Sequence, residues 1–197
     1  MYAIQSINMH YFVDLGGVVY YDINFDHKAT GGFPLKVAAC KGSELFVKLM
    51  LENKMLDVNK KDNDGVNAFW IAAYFGHGNV MRVLAEAGID VLNTDSKGYN
   101  AMHVAAKFDY KNIIHMLVDS GFPLDIQTND GETAVSIAAQ RGNLICLQHL
   151  TKHGSDVNML NNYDLSPLYL AILNRKTDCA EYLLEEGALS FVEGTDR

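Results

Sequence analysis

The residue types with the most potential for chemistry are the seven histidines and three cysteines of this 197-residue chain. His149 and His153 stand four positions apart, which would place both imidazoles on one side of a helix, within reach of a shared metal ion. No glutamate stands between them in a His-Glu-x-x-His pattern, and no third ligand lies near them in sequence. We therefore expect a solvated helix end at which the helix dipole favours His153, and we predict no metal site.

The three cysteines, Cys40, Cys146 and Cys179, are odd in number and far apart, and they form no Cys-x-x-Cys pair. This distribution argues against a disulfide framework and favours a reducing compartment. We therefore expect a cytoplasmic protein, with the nucleus as the alternative. All three cysteines fall in segments predicted to be helical, and we interpret them as small core or half-buried residues.

Other catalytic patterns are also weak. The segment 76–79, Gly-His-Gly-Asn, lacks the Lys-Ser/Thr that follows a phosphate-binding glycine loop, and it suits a turn between two helices. The sequence contains no Gly-x-Ser-x-Gly nucleophile elbow. We interpret the acidic pairs Asp62/Asp64 and Glu185/Glu186 as solvated charges in a hairpin and at a helix end. The sequence therefore predicts no enzyme and no cofactor.

The composition is that of a folded globular protein, with 49% apolar and 20% charged residues. Sixteen Lys and Arg against 24 Asp and Glu give a net charge of -8, which disfavours non-specific binding to nucleic acid phosphates. No window approaches the roughly 20 apolar residues of a membrane-spanning helix, and residues 1–10 lack the features of a secretory signal. We expect neither membrane insertion nor export.

The elements that position these residues recur along the chain with a fixed period. Five related segments begin at Gly31, Gly65, Gly98, Gly131 and Asp164, at intervals that are equal except for one additional position in the first. A second series repeats with the same interval at Gly88, Gly121, Gly154 and Gly187. Two series with one period indicate an array of short units.

Each unit has the pattern of two helices joined by a turn. In the second unit, Asn67 is a suitable N-cap for a helix over 68–75 that ends at Gly76, and a second helix is predicted over 79–87. Paired alanines such as Ala72-Ala73 recur in the first helix and permit close packing. Apolar residues at i, i+3 and i+4 on the second helix need a neighbouring unit to cover them. The predicted fold class is an all-α solenoid of stacked helix-turn-helix units with hairpin-like loops.

The 33-residue period and segments such as 98–106, Gly-Tyr-Asn-Ala-Met-His-Val-Ala-Ala, resemble the ankyrin repeat family and its signature Gly-x-Thr-Pro-Leu-His-x-Ala-Ala. The resemblance covers residues 22–189, in units near 26–61, 62–94, 95–127, 128–160 and 161–189. It implies that His103, in the signature histidine position, forms hydrogen bonds within the turn. We expect residues 1–21 to be a degenerate N-terminal cap with a poor or irregular helix over 10–20, and residues 190–197 to be a C-terminal tail.

The ankyrin resemblance implies a non-catalytic module that binds a partner protein through its hairpin tips and the concave face of its first helices. Aromatic residues in the middle of the array are expected to form one surface with basic residues around it. The alternative is that these rings pack against one another and only stiffen the face. The candidate partner-binding residues are Asn63, Asp64, Val66, Tyr74, Phe75, Ser96, Lys97, Tyr99, Lys107, Phe108, Asn129, Asp130, Glu132, Gln140, Arg141 and Tyr163. We expect a monomer whose protein partner presents apolar or aromatic groups with some acidic character.

Other readings of the sequence stay open. One is a regulatory or targeting segment of a larger enzyme or membrane channel, which is a frequent setting of ankyrin repeats. Another is modification, because the resemblance implies that Asn59 and Asn158 match hairpin asparagines that are hydroxylated in the family. The last helix, over 179–184, is apolar where a terminal repeat normally has a polar outer face. We expect residues 189–191, a partner or a further part of a longer protein to cover it.

Overall fold

The fold consists of a short hairpin followed by a series of helix pairs. The computed structural model describes residues 11–13, 19–21, 23–24 and 32–189. Its strands are β1 (Tyr11–Val13) and β2 (Val19–Tyr21). The helices in these ranges are α1 (Pro34–Cys40), α2 (Glu44–Leu51), α3 (Ala68–Tyr74), α4 (Gly78–Glu86), α5 (Ala101–Phe108), α6 (Lys111–Asp119), α7 (Ala134–Arg141), α8 (Leu144–Lys152), α9 (Pro167–Leu173) and α10 (Thr177–Glu185). Odd-numbered helices are the first helices of the repeats and even-numbered ones are the second helices. The helical repeat architecture is therefore confirmed.

The segment 10–20 differs from the irregular helix expected there. β1 and β2 pair antiparallel, with Tyr11 opposite Tyr21 and Val13 opposite Val19. The strand sequences Tyr-Phe-Val and Val-Tyr-Tyr consist of aromatic and β-branched residues, which favour strands. The helix prediction is therefore wrong for these two segments, while its other residues and the predicted tail 190–197 lie outside the described residues. A capping role for residues 1–21 stays a prediction.

Most first helices begin at a side chain that caps their free amide groups. Asn67, Asn100, Thr133 and Ser166 each accept a hydrogen bond from the backbone amide three residues later, at 3.0 to 3.2 Å. The exception is α1, which follows Phe33 without a side-chain cap and has Pro34 at its first position. The predicted N-cap Asn67 is confirmed. Such a cap typically stabilises a helix by about 1 kcal/mol.

The second glycine series marks the ends of second helices. After α4, Gly88 has a φ of 79° and the Ile89 amide donates back to the Leu84 carbonyl at 3.3 Å. Glycines hold the same position after the next three second helices, with φ between 74° and 96°: Gly121, Gly154 and Gly187. This left-handed cap satisfies carbonyls that the helix leaves free and directs the chain toward the next hairpin.

The chain divides into two compact units, Met1–Asn93 and Thr94–Arg197. In the first unit, α3 packs on α1 and α4 packs on α2. In the second unit, α7 packs on α5 and α9 on α7, while α8 packs on α6 and α10 on α8. Repeats therefore stack on their neighbours within each unit, first helix on first helix and second helix on second helix.

Fully buried alanines lie in the first helices. The pairs Ala72-Ala73, Ala105-Ala106 and Ala138-Ala139 are all 0% exposed. Larger apolar side chains complete the core of the second unit, among them Met102 of α5 and Leu147 of α8. Because a methyl group is the whole side chain of alanine, these positions allow the backbones of stacked first helices to approach closely.

The hairpin loops close on their own polar side chains. Asp95 Oδ1 accepts hydrogen bonds from the amides of Lys97 and Tyr99, at 2.9 and 2.8 Å. Asp62 has the same role in the previous repeat, and its side chain is 2% exposed and paired with Lys36. The interpretation of Asp62 as a solvated charge is therefore wrong, because closing the loop uses its carboxylate internally. Asp64, Glu185 and Glu186 are exposed as expected.

Replacing Gly121 with alanine should lower the free energy of unfolding by about 1–2 kcal/mol. The added Cβ would meet no atom within 4 Å, so the loss would come from its φ of 74° alone. The matched change is Arg175→Gly, because Arg175 has a φ of 55° at the end of α9, where glycine stands after α3 and α7. This variant should be as stable as the wild type or more stable. Urea denaturation followed by circular dichroism measures both, and an unchanged midpoint for Gly121→Ala would contradict the expected strain.

Candidate partner-binding surface

In the first unit, the predicted aromatic residues lie at the end of α3. Tyr74 and Phe75 are 41% and 45% exposed, and their ring centroids are 5.2 Å apart in an edge-on arrangement. Trp70 stacks on Tyr74 at 5.4 Å, and His77 stacks on Phe75 at 6.4 Å. The unit therefore presents a row of contacting rings. Trp70 was not among the predicted residues, although its position one helical turn before Tyr74 was a usable signal.

The hairpin tip of the first unit differs from expectation at one position. Asn63 and Asp64 are exposed as predicted, but Val66 is only 2% exposed. The loop closes around Val66, whose carbonyl accepts from the Asp62 amide at 3.0 Å and whose amide donates to Asp62 Oδ1 at 3.0 Å. Because burial of an aliphatic side chain is favourable at such a closed position, the prediction of Val66 as a surface residue is wrong.

In the second unit, predicted aromatic and charged residues contact one another. The Tyr99 hydroxyl donates to Glu132 Oε2 at 2.7 Å. Partial burial, together with this hydrogen bond, raises the pKa of Tyr99 above its ordinary value. Lys107 Nζ lies 5.1 Å from the ring centroid of Tyr99 and 5.8 Å from that of Phe108, which is cation–π distance. Phe108 is 39% exposed and stacks on Tyr110.

Three cations of the predicted set lie in this second unit. Lys97 and Arg141 are exposed and Lys107 is half-buried. Among the residues that the structure describes, none of the three forms an ion pair with a carboxylate. In a chain with a net charge of -8, cations without a carboxylate partner are available to an acidic group of a binding partner.

The hairpin tips of the second unit are joined through asparagines. Asn129 donates its side-chain amide to the Ser96 carbonyl and its backbone amide to the Lys97 carbonyl, both at 3.0 Å. Asn162 forms the equivalent bonds to Asn129 and Asp130, at 2.8 and 2.9 Å. Asn129 therefore ties neighbouring tips together in addition to being exposed. The remaining predicted residues are exposed or half-buried: Ser96, Asp130, Gln140 and Tyr163.

The repeat geometry agrees with a comparison against known families. A family model described as ankyrin repeats matches the chain in three overlapping copies, at residues 1–95, 35–128 and 102–192. The chain belongs to the ankyrin repeat family. No curated protein matches its sequence. Ankyrin repeats are generally protein–protein interaction modules. In the described part of the chain, no helix is both long and apolar enough to cross a membrane.

The ankyrin signature histidine is a structural residue. His103 is 1% exposed, and its Nδ1 accepts from the Asn100 amide at 3.1 Å while its Nε2 donates to the Ile126 carbonyl at 2.8 Å. Burial lowers the pKa of His103 to about 4, so the neutral ring that these bonds require is the stable form at neutral pH. The role within the turn that the resemblance implied is confirmed. Thr133 and Ser136 form the same reciprocal pair one repeat later.

The pair His149 and His153 contacts a third histidine. The ring of His115 on α6 is 4.9 Å from that of His149, which is 4.4 Å from that of His153. His115 Nδ1 is 2.9 Å from Asp119 Oδ2, and His153 donates to the His149 carbonyl at 2.7 Å. Burial and the two neighbouring imidazoles lower the pKa of His149. Within residues 23–24 and 32–189, no group of three or more His, Cys, Asp or Glu residues has an arrangement that could hold a metal ion.

The cysteines lie on helices as expected and are free. Cys146 and Cys179 are buried and Cys40 is half-buried. Burial is the larger cause and the hydrogen bond from Cys146 to Asp109 at 3.2 Å is the smaller cause of a rise in the pKa of Cys146 to about 12. Burial also raises the pKa of Cys179. Because the thiolate is the reactive form, these two thiols are poor nucleophiles at neutral pH.

The two asparagines predicted as hydroxylation sites join consecutive loops. Asn59 Oδ1 accepts from the Asp90 amide at 2.7 Å, and Asn158 Oδ1 accepts from the Leu189 amide at 2.9 Å. Each bond lies within one compact unit. Their hydroxylation stays a prediction.

Acidification should destabilise the second unit through His103. Its folded pKa of about 4 lies below the ordinary value of 6.5, so the unfolded chain binds this proton first. The stabilisation is present above pH 6.5 and is lost as the pH falls from 6.5 toward 4. We expect His103 alone to lower the free energy of unfolding by about 2 kcal/mol between about pH 7 and about pH 5.

Urea denaturation at the two pH values measures this loss. His103→Ser introduces at position 103 the residue that forms the equivalent reciprocal hydrogen bonds at position 136. Because serine does not titrate in this pH range, this variant should lose less stability on acidification than the wild type. His115→Gln removes an exposed histidine and should behave nearly as the wild type. An equal loss in His103→Ser and the wild type would contradict the assignment to His103.

Proposed function

We propose that this ankyrin array is a non-catalytic adaptor or scaffold that binds a partner protein through its hairpin tips and the exposed side of its first helices. The observation that carries the proposal is in the second unit, where Phe108 is 39% exposed beside the ammonium group of Lys107, which forms no ion pair with a carboxylate of the described residues. Aromatic side chains and arginine are enriched in protein interfaces and among the residues that dominate their energetics. A rigid helical scaffold that presents them requires little ordering when a partner binds.

The chemistry of this surface defines the partner. The Tyr99 hydroxyl already donates to Glu132, so the contribution of Tyr99 to partner binding would be the apolar area of its ring. Arg141 stands on α7 at the position that Phe108 has on α5, and these two helices pack together. A partner side chain with an apolar or aromatic body would fit against Phe108, and an adjacent carboxylate would fit Lys107 and Arg141.

The first unit supports the same function with a different surface. Tyr74 and Phe75 are exposed aromatic residues at the end of α3, and Asn63 and Asp64 are exposed at the hairpin tip before it. The aromatic pair offers anchors for an apolar group, and the polar tip offers hydrogen bonds. Ring contacts such as Tyr74–Phe75 would equally suit a stiffening role, so loss of binding and loss of stability must be measured separately.

Replacing Tyr74, Phe75 and Phe108 with alanine should abolish capture of a specific partner from native lysate. Because these side chains are 39% to 45% exposed, their removal should change the thermal unfolding midpoint little. Affinity capture with the wild type and the triple variant, followed by mass spectrometry of the retained proteins, measures binding. Circular dichroism of both proteins measures stability.

A matched triple variant controls for the loss of exposed apolar area. Replacing Leu45, Leu49 and Ile145 with alanine removes side chains that are 51% to 68% exposed on second helices, and it should leave capture intact. Identical captures by the wild type and the aromatic variant would contradict the proposal. A large loss of stability in the aromatic variant would favour packing as the role of these rings.

A further inference from the structure

The last repeat carries an apolar surface that stays exposed. Five of its side chains are 51% to 61% exposed, and we call this set the C-terminal face: Tyr169, Ile172 and Leu173 of α9, Leu184 of α10, and Leu189. The three α9 residues have i, i+3 and i+4 spacing and lie on one side of that helix. Large exposed apolar side chains that share one side of a helix are typical of an interaction site.

Two of the three equivalent first-helix positions of the preceding repeat are buried, and the third, Gln140, is half-buried. Ser136 and Ala139 stand one repeat period before Tyr169 and Ile172. They are 1% and 0% exposed on α7, the helix on which α9 packs. The last repeat therefore has larger apolar side chains at the positions through which the previous repeat receives its neighbour.

The second helices show the same correspondence. Thr151 stands one repeat period before Leu184, and its hydroxyl is 2.6 Å from the Tyr182 hydroxyl of α10. This position on α8 therefore faces the next repeat. On the preceding repeat, the corresponding surface of α7 and α8 is covered by a pair of helices, α9 and α10. The C-terminal face is the same surface on the last repeat.

Acidic residues border the C-terminal face on α10. Glu181, Leu184 and Glu185 share one side of the helix at i, i+3 and i+4 spacing. Both glutamates are exposed, and neither forms an ion pair with a basic residue of the described chain. Asp178 lies one turn before Glu181 and is also exposed. A second copy of this face would bring like charges together, whereas a basic partner would complement it.

We propose that the C-terminal face binds an amphipathic helix of a partner protein, with apolar residues on one side and Lys or Arg at its margins. A helix is the expected shape because helices occupy the corresponding surface of the preceding repeat. Basic margins are expected because the glutamates at 181 and 185 flank Leu184. This partner differs in charge from the acidic one expected at Lys107 and Arg141. One molecule would therefore have two interaction surfaces, one for acidic and one for basic groups of a partner.

Isothermal titration calorimetry with the full chain tests this proposal. The probe is a synthetic peptide of leucine and lysine whose leucines fall on one side of a helix, and the wild type should bind it saturably. Ile172→Glu should weaken binding by about tenfold or more, and the pair Glu181→Lys and Glu185→Lys should weaken it and reduce its dependence on salt. Ile145→Glu, at an isoleucine 51% exposed on α8, should bind as the wild type does.

Several results would overturn the proposal. The first is equal binding by Ile172→Glu and Ile145→Glu, or equal binding of a peptide with the same composition in an order that forms no apolar side. The second is a dimer in light scattering that Ile172→Glu dissociates, because a second copy would then occupy the face. The third is binding that begins only after Phe191→Ser, because residues 190–197 would then be the occupant.

Discussion

Close approach of consecutive first helices is the constraint on which each unit depends. In the second unit, Ala105 of α5, Ala138 of α7 and Ala171 of α9 are completely buried, so no bulky side chain separates the stacked helices. The apolar side of one repeat is then covered by the next repeat, and stability comes from neighbours rather than from single units. The caps of α5 and α7, Asn100 and Thr133, lie inside this packing and are 1% exposed.

The same constraint separates the side chains that build the scaffold from those available to partners. Stacking fixes the alanines and the caps, while Tyr74 and Phe108 at the ends of first helices remain partly exposed. Function in such an array resides in these variable positions, because the fold itself does not specify a partner. In the last repeat, Ile172 holds the position that is a buried alanine in α7, and a stacking contact becomes an exposed apolar surface.

The helix pairs could be predicted because their signals are local and recur. An N-cap such as Asn67 and the glycine after each helix delimit the elements, and α3 and α4 begin and end within one residue of the predicted bounds. The contact of Tyr99 with Glu132 joins two different repeats, and no local pattern indicates it. Val66 was misplaced because a loop residue is expected to be exposed, whereas this hairpin closes around it. The β1–β2 hairpin had its own local signal, but the helical repeat pattern was extended over it.

Site-specific photo-cross-linking in the native cell tests most directly whether the exposed side of the first helices binds protein. The cross-linker p-benzoylphenylalanine would replace Phe108 on α5 in one variant and Ile145 on α8 in another, two exposed apolar positions of the same unit. We expect a discrete cross-linked protein from position 108 and none from position 145. The same products from both positions, or products from position 145 alone, would contradict it.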